Sequence, residues 1–156
     1  MKERVVLDSS AFFAMEDMSG DWEAYTSPGV LRELQRYNDG RAAYLEHKVK
    51  VSDPTSNSLE RVAKAAKETG DASRLSAVDR EVLALAIDLE AVLLTDDYSM
   101  QNLAKHIGLP YRAVGLKPIQ KKVVWSYRCT GCGKVIKEQQ PDCPVCGSAL
   151  RTTRKR

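Results

Sequence analysis

Four cysteines fall in the last quarter of the 156-residue chain as two pairs, Cys129-x-x-Cys132 and Cys143-x-x-Cys146. Two residues between thiolates let both sulfurs reach one tetrahedral ion, and the ten residues between the pairs suffice for a hairpin to bring the second pair round. Gly133 and Gly147 follow the second cysteine of each pair, where the turn favours positive φ. Two disulfides, or a redox pair, would use the same residue type. A redox motif needs one such pair in a thioredoxin-like setting, not two matched copies, and nothing else suggests secretion. The spacing therefore predicts one structural Zn2+. The segment from Trp125 to Leu150 is too short to bury a core of its own, so the ion supplies its folding energy.

A second set of residues able to do chemistry is acidic and dispersed: Asp8, Glu33, Asp79 and the pair Asp96-Asp97. Asp8 follows a short apolar run and Asp96-Asp97 follow another, so both fall at the carboxyl ends of expected strands, where open parallel sheets bind ligands. Asp79 shares a helical face with Leu83 and Ala86 and is expected to point inward, and Glu33 lies within two turns of the start of its helix. No basic residue at the strand ends neutralises them. Clustered carboxylates without such partners repel one another unless a cation binds. Hard oxygen ligands select Mg2+ or Mn2+, and a carboxylate pocket with spare positions holds one or two ions. Local roles remain open for each: Asp79 as the acid of a capping box, Glu33 paired with Arg36, Asp8 as a helix cap, and one of Asp96 and Asp97 as another.

The elements that position these groups alternate. Arg4–Leu7 reads as a strand ended by Asp8-Ser-Ser, whose oxygens cap a helix over Ala11–Met15. A short strand is expected at Tyr25-Thr26, and Ser27-Pro28 opens a helix with a capping oxygen and proline at its first position. Val49–Val51 reads as a strand, and a helix from about Leu59 to Lys67 ends at Gly70-Asp71. The clearest helix is Ala77–Glu90, capped by Ser76 with Asp79 three residues on and striped by Val82, Leu85, Ala86 and Leu89. Ala91–Leu94 is a continuous apolar strand of the kind buried in parallel sheets. A helix from Tyr98 to His106 and a strand over Tyr111–Val114 complete the series. Strands alternating with helices predict an α/β class, a three-layer α/β/α sandwich around a parallel sheet, followed by a small β-type zinc ribbon. The boundaries expected are 1–116 for the first domain, 117–124 for a basic linker, 125–150 for the ribbon and 151–156 for a basic tail.

The net charge of +3 hides an asymmetry. From Lys117 onward there are ten lysines and arginines against Glu138 and Asp142, a formal +8, whereas residues 1–116 carry a formal −5. Four zinc-bound thiolates leave the basic part near +6. Such an appendage suits a polyanion, nucleic acid above all, although the last six residues alone could be a solvated tail. Arg128, Lys134 and Lys137 lie in or beside the knuckles, and Lys121 and Lys122 extend the field toward the linker. Trp125 and Tyr127 share one side of a strand, placed either to stack on unpaired bases or to pack the small module. No apolar stretch approaches the ~20 residues of a membrane span, and no signal peptide is evident. A reducing, cytoplasmic location without membrane association is expected.

The acidic motifs, taken in order, resemble a known family. Val5-Val-Leu-Asp8-Ser-Ser-Ala-Phe12, Pro28-Gly-Val-Leu-Arg-Glu33-Leu, Leu75-Ser-Ala-Val-Asp79-Arg-Glu-Val-Leu-Ala-Leu-Ala86 and Leu94-Thr-Asp-Asp97-Tyr-Ser-Met-Gln-Asn102 are similar to those of PIN-domain ribonucleases and span nearly all of residues 1–116. Joined to a four-cysteine ribbon, they resemble the Nob endonucleases that mature the 3′ end of small-subunit ribosomal RNA. Thr69-Gly-Asp-Ala-Ser-Arg-Leu-Ser-Ala-Val-Asp79 carries that likeness further, and the short length points to an archaeal form. The resemblance implies a metal-dependent endoribonuclease with 5′-phosphate products. It implies Asp8, Glu33, Asp79 and Asp97 as catalytic acids, with Asp8, Asp79, Asp97 and Asp96 nearest the Mg2+ or Mn2+ and Asp97 favoured over Asp96. Pre-rRNA, the small-subunit precursor particle and its assembly factors are the partners it implies. A toxin-type PIN ribonuclease, a non-catalytic RNA-binding assembly factor and a phosphoacceptor receiver domain are the alternatives; the last needs a lysine near the acids, and the equivalent strand has none.

Overall fold

The computed structural model describes residues 2–14, 21–36, 48–114 and 125–154, and the expected linker 117–124 lies outside them. Strand β1 (Glu3–Leu7) is the centre of the fold because Val5, Val6 and Leu7 are each wholly buried, which requires cover on both faces. It pairs in parallel with β2 (Trp22–Thr26) on one side and β4 (Val92–Leu94) on the other. Strands β3 (Lys50–Val51) and β5 (Tyr111–Arg112) form the edges, giving the order β3-β2-β1-β4-β5. The chain therefore winds outward from β1 in one direction, then returns and winds in the other. The reversal falls between β1 and β4, the switch point beyond whose carboxyl ends open parallel sheets bind ligands.

Among the described residues, five helices cover the sheet: α1 (Ser9–Ala14), α2 (Pro28–Arg36), α3 (Ser56–Thr69), α4 (Ala77–Leu89) and α5 (Tyr98–Ile107). Helix α4 buries five consecutive residues, Val82 to Ala86, because it packs on both β1 and α3. The α/β expectation holds, with local differences. Helix α3 starts three residues earlier than its apolar pattern suggests. Thr55 caps it, and Asp88 of α4 accepts from the Thr55 amide at 2.7 Å and the Thr55 hydroxyl at 2.8 Å, a support from thirty-three residues away. Strand β2 begins at Trp22 rather than Tyr25, since Glu3 through Val6 of β1 offer it a full parallel edge.

The ribbon is a three-stranded antiparallel sheet, β7-β6-β8, made of β6 (Trp125–Cys129), β7 (Val135–Ile136) and β8 (Leu150–Arg154). Strand β8 corrects the expectation of a tail beginning at residue 151. Trp125 through Cys129 pair with Arg154 through Leu150 residue for residue, so the first four residues of that segment complete the sheet. The face carrying Tyr127 and Ile136 is buried, and Tyr127 donates to the Gly70 carbonyl of the first domain at 3.4 Å. Gly70 ends α3 in the left-handed region, φ +82°, and a Cβ there would lie 2.5 Å from the Trp125 carbonyl oxygen. Only glycine satisfies both the cap and the close approach.

Candidate active site and metal centre

Asp8 lies one residue beyond β1 and is 4% exposed. Three donors hold its carboxylate: the Ser10 hydroxyl at 2.7 Å and the Ala11 amide at 2.9 Å on Oδ1, and the Thr95 hydroxyl on Oδ2. The two hydroxyls also accept. Ser10 takes the Asp96 amide and Thr95 the Asp97 amide, each at 3.0 Å. The loop after β4 is thereby tied to the loop after β1 through hydrogen bonds that end on Asp8. The acidic motifs do not reveal Ser10 and Thr95 as site residues. Their only sequence signal is a hydroxyl residue two beyond Asp8 and two before Asp97.

Asp97 caps α5, its Oδ1 accepting from the Ser99 and Met100 amides at 2.8 and 3.2 Å. Asp79 forms the capping box of α4, accepting from the Ser76 amide at 2.9 Å while Ser76 Oγ accepts the Asp79 amide at 3.1 Å. The capping roles are therefore real, yet the same residues interact at longer range. Burial pushes the Asp8 carboxyl above the usual aspartate value; its three donors oppose this and the Asp97 charge adds to it. Burial likewise raises Asp79, against the Ser76 hydrogen bonds and again with repulsion from Asp97. One carboxylate thus acts on two others that come from different strands and helices. Among the described residues, none of Asp8, Asp79, Asp97 and Glu33 forms a salt bridge to lysine or arginine. A group of acids arranged in this way has room in its charge balance for a divalent cation.

Asp96 turns differently: its Oδ1 accepts from the Val114 amide at 2.7 Å and so holds the segment after β5. Glu33 is half-buried on α2, and no hydrogen bond or ion pair joins it to the three aspartates among the described residues. The alternative role of Glu33, an ion pair with Arg36, is likewise absent among the described residues. The first turn of α2 is set by Ser27, which accepts from the Val30 amide at 3.3 Å, and by Glu81 of α4, which accepts from the Gly29 amide at 3.3 Å.

In the ribbon the four cysteine sulfurs all lie within 4.8 Å of one another, the only group of three or more such ligand residues so gathered among the described residues. Cys129 and Cys146 sulfurs are 3.3 Å apart, and those of Cys132 and Cys143 are 3.8 Å apart. A disulfide needs ~2.05 Å. Sulfurs at the corners of a tetrahedron with ~2.3 Å metal–sulfur bonds stand about 3.8 Å apart. Amides of Gly131 and Cys132 donate to Cys129 Sγ at 3.3 Å, and that of Val145 to Cys143 Sγ at 3.4 Å, as thiolate ligands require. The donor set fits zinc.

The basic and aromatic residues of the ribbon separate by face. Arg128, Lys134 and Lys137 are exposed, while Lys121 and Lys122 lie outside the described residues. Trp125 and Tyr127 do share a side, but it is turned toward the first domain. Tyr127 is 5% exposed, and the Arg74 guanidinium lies 3.8 Å from the Trp125 ring centroid. Packing, the second of the two expectations, describes Tyr127, and one face of Trp125 is already occupied. Arg151 is a site candidate concealed in the expected tail. It is exposed directly across from Arg128 in the β6–β8 ladder, and both line a depression of about 220 Å3 with Cys129 and Thr130. Like charges directly opposite on a sheet destabilise it, and neither arginine has an ion pair among the described residues.

Comparison with known proteins agrees with this anatomy. Residues 5–89 match the family described as the PIN domain of ribonuclease. The chain is 38% identical over its whole length to "Endoribonuclease Nob1" of Pyrococcus abyssi, covering 97% of that protein. It is 33% identical to "Ribonuclease VapC1" of Thermoplasma acidophilum, over 94% of this chain and 76% of that one. The structure of VapBC-1 from nontypeable Haemophilus influenzae superposes with a TM-score of 0.52 at 16% identity, covering 70% of this chain and 97% of that one, a likeness of fold. The chain belongs to the PIN-domain ribonucleases, and within them to the Nob1 endoribonucleases.

Proposed function

We propose that this endoribonuclease cuts precursor RNA of the small ribosomal subunit at its 3′ end, with Asp8, Asp79, Asp97 and Glu33 as the acids that hold Mg2+ or Mn2+. The observation that carries the reading is the placement of Asp8 and Asp97 just beyond the adjacent strands β1 and β4, joined through the Thr95 hydroxyl, with no salt bridge to lysine or arginine at either of them or at Asp79 among the described residues. A divalent ion bound there supplies positive charge for the scissile phosphate and lowers the pKa of an attacking water. Asp8 is the most rigidly held of the set, since three hydrogen bonds fix its plane and burial excludes competing water. Asp79 and Asp97 each stand at a helix N-terminus, where amide dipoles oppose the phosphate's repulsion by their own carboxylates. Asp96 has the lesser part, holding the loop after β5.

The ribbon grips the RNA backbone through Arg128 and Arg151, with Lys134 and Lys137 extending the contact. Lys137 also borders a cleft of about 360 Å3 between the ribbon and the end of α3, shared with Lys67 and Tyr127. Phosphate contacts of this kind anchor without reading sequence, so the ribosomal precursor particle and its assembly factors set the cleavage position. Among the described residues no helix is long and apolar enough to cross a membrane. The Asp8→Asn protein tests the assignment: it retains binding to a labelled fragment spanning the rRNA 3′ end and does not cut it in Mn2+. Cleavage by that variant at the wild-type rate overturns the site.

A further inference from the structure

Residues 70–76 join α3 to α4, and the ribbon holds this connection at two places. At its start, Gly70 packs on the Trp125 backbone and accepts from the Tyr127 hydroxyl. In its middle, Arg74 stacks on the Trp125 ring at 3.8 Å and donates to Thr152 Oγ1 of β8 at 3.4 Å. The Arg74 amide donates to the Asp71 carbonyl at 2.8 Å, closing a turn. Asp71 itself is wholly buried, accepting from the Thr69 hydroxyl and Asn102 Nδ2 at 2.7 Å each. Asn102 belongs to α5, the helix that Asp97 caps. From the other side, Arg80 of α4 donates to the Ala72 carbonyl at 2.8 Å, and Leu75 inserts into the core.

The connection ends at Ser76, whose capping box sets the Asp79 carboxylate. Only Leu75 separates the arginine clamped by the ribbon from that cap. We propose that Arg74 is a positioning residue: by seating on Trp125 and Thr152 it makes the zinc ribbon a structural support of the cleft, holding Asp79 in place as well as gripping RNA. This rests on the reading of Asp79 as a metal-holding acid. The chemistry requires it to be more than packing, because carboxylates that share an ion tolerate little displacement, and errors near 1 Å cost up to ~100-fold in rate. A ribbon serving only as an RNA grip would have no reason to act on the α3–α4 connection.

The test uses the full-length, zinc-loaded protein and a short single-stranded RNA that occupies only the cleft. Arg74→Ala is expected to lower kcat roughly ten- to a hundredfold with little change in KM, and to raise the Mn2+ concentration needed for the ion-dependent rise in melting temperature. Arg74→Lys, which keeps a cation over the ring, recovers part of both. Trp125→Leu lowers kcat in the same direction, and the double variant falls by less than the product of the two single effects, since both remove the ring contact. Thr152→Val, a milder change, supplies the same reading at smaller amplitude should Arg74→Ala unfold. A rise in KM alone, or unchanged kcat and Mn2+ response in both Arg74→Ala and Thr152→Val, overturns the proposal. Asp79→Asn separates the two levels: full cleavage by that variant removes the metal-holding role of Asp79, whereas its inactivity beside normal kcat in Arg74→Ala removes only the coupling.

Discussion

The hydroxyl of Thr95 donates to the buried carboxylate of Asp8 while accepting the amide of Asp97, so one side chain links the loops after β1 and β4. A hydroxyl alone does both with one oxygen. Valine has the same shape and neither function.

Thr95→Val should therefore leave a buried Asp8 oxygen without its donor and cost about 1–3 kcal/mol, read by urea denaturation. The lost hydrogen bond is one that lowers the Asp8 pKa, so removing it raises that pKa further. The acid limb of the cleavage–pH profile then moves to higher pH. Native stability together with an unmoved acid limb would contradict the arrangement.

Linkage gives a second expectation. Asp8 and Asp79 are raised above the ordinary aspartate value of 3.8, so within the window between that value and their folded values the native state binds more protons than the unfolded chain. Their contribution to stability accordingly falls as pH rises through that window, the reverse of a paired carboxylate. Without added divalent ion, the melting temperature of Asp8→Asn should gain on wild type as pH rises. Mn2+ should restore wild type and leave the variant unchanged. Parallel pH curves for the two proteins would remove the claim that these carboxylates sit strained.

Zinc is the third. Cys129→Ser removes a thiolate whose sulfur receives two backbone amides, so ion content should fall and β6 should lose its pairing, while the parallel sheet remains folded. Metal analysis, near-UV circular dichroism and RNA binding together read the outcome. Retention of full zinc and full affinity would exclude four-thiolate ligation.

The fourth concerns the arginine pair. If Arg128 and Arg151 each neutralise one phosphate of single-stranded RNA, the slope of log affinity against log salt should shrink by about 0.7 for each arginine replaced by alanine, about 1.4 for both. The double variant should also gain stability in the absence of RNA, because the opposed charges are gone. An unchanged slope would place the anchor elsewhere.

Much of this protein was legible in its chain because the informative patterns are local. The cysteine spacing confines four sulfurs to one ion, the apolar runs of Val5–Leu7 and Val92–Leu94 are short enough to be strands only, and Ser76 with Asp79 announces the start of α4. Asp8 and the Asp96-Asp97 pair stood out by following those strands. What the chain could not display were partnerships between distant residues: Asp88 holding Thr55 at the start of α3, Thr95 holding Asp8, Arg151 opposite Arg128, and Arg74 beneath Trp125. None leaves a periodicity or a spacing, since each depends on where separate elements come to rest after the sheet and its helices have packed. Local sequence determined which groups exist and on which elements; tertiary packing alone decided which of them meet, because a hydrogen bond or a ring contact forms only within a few ångströms and the chain crosses that gap only by folding.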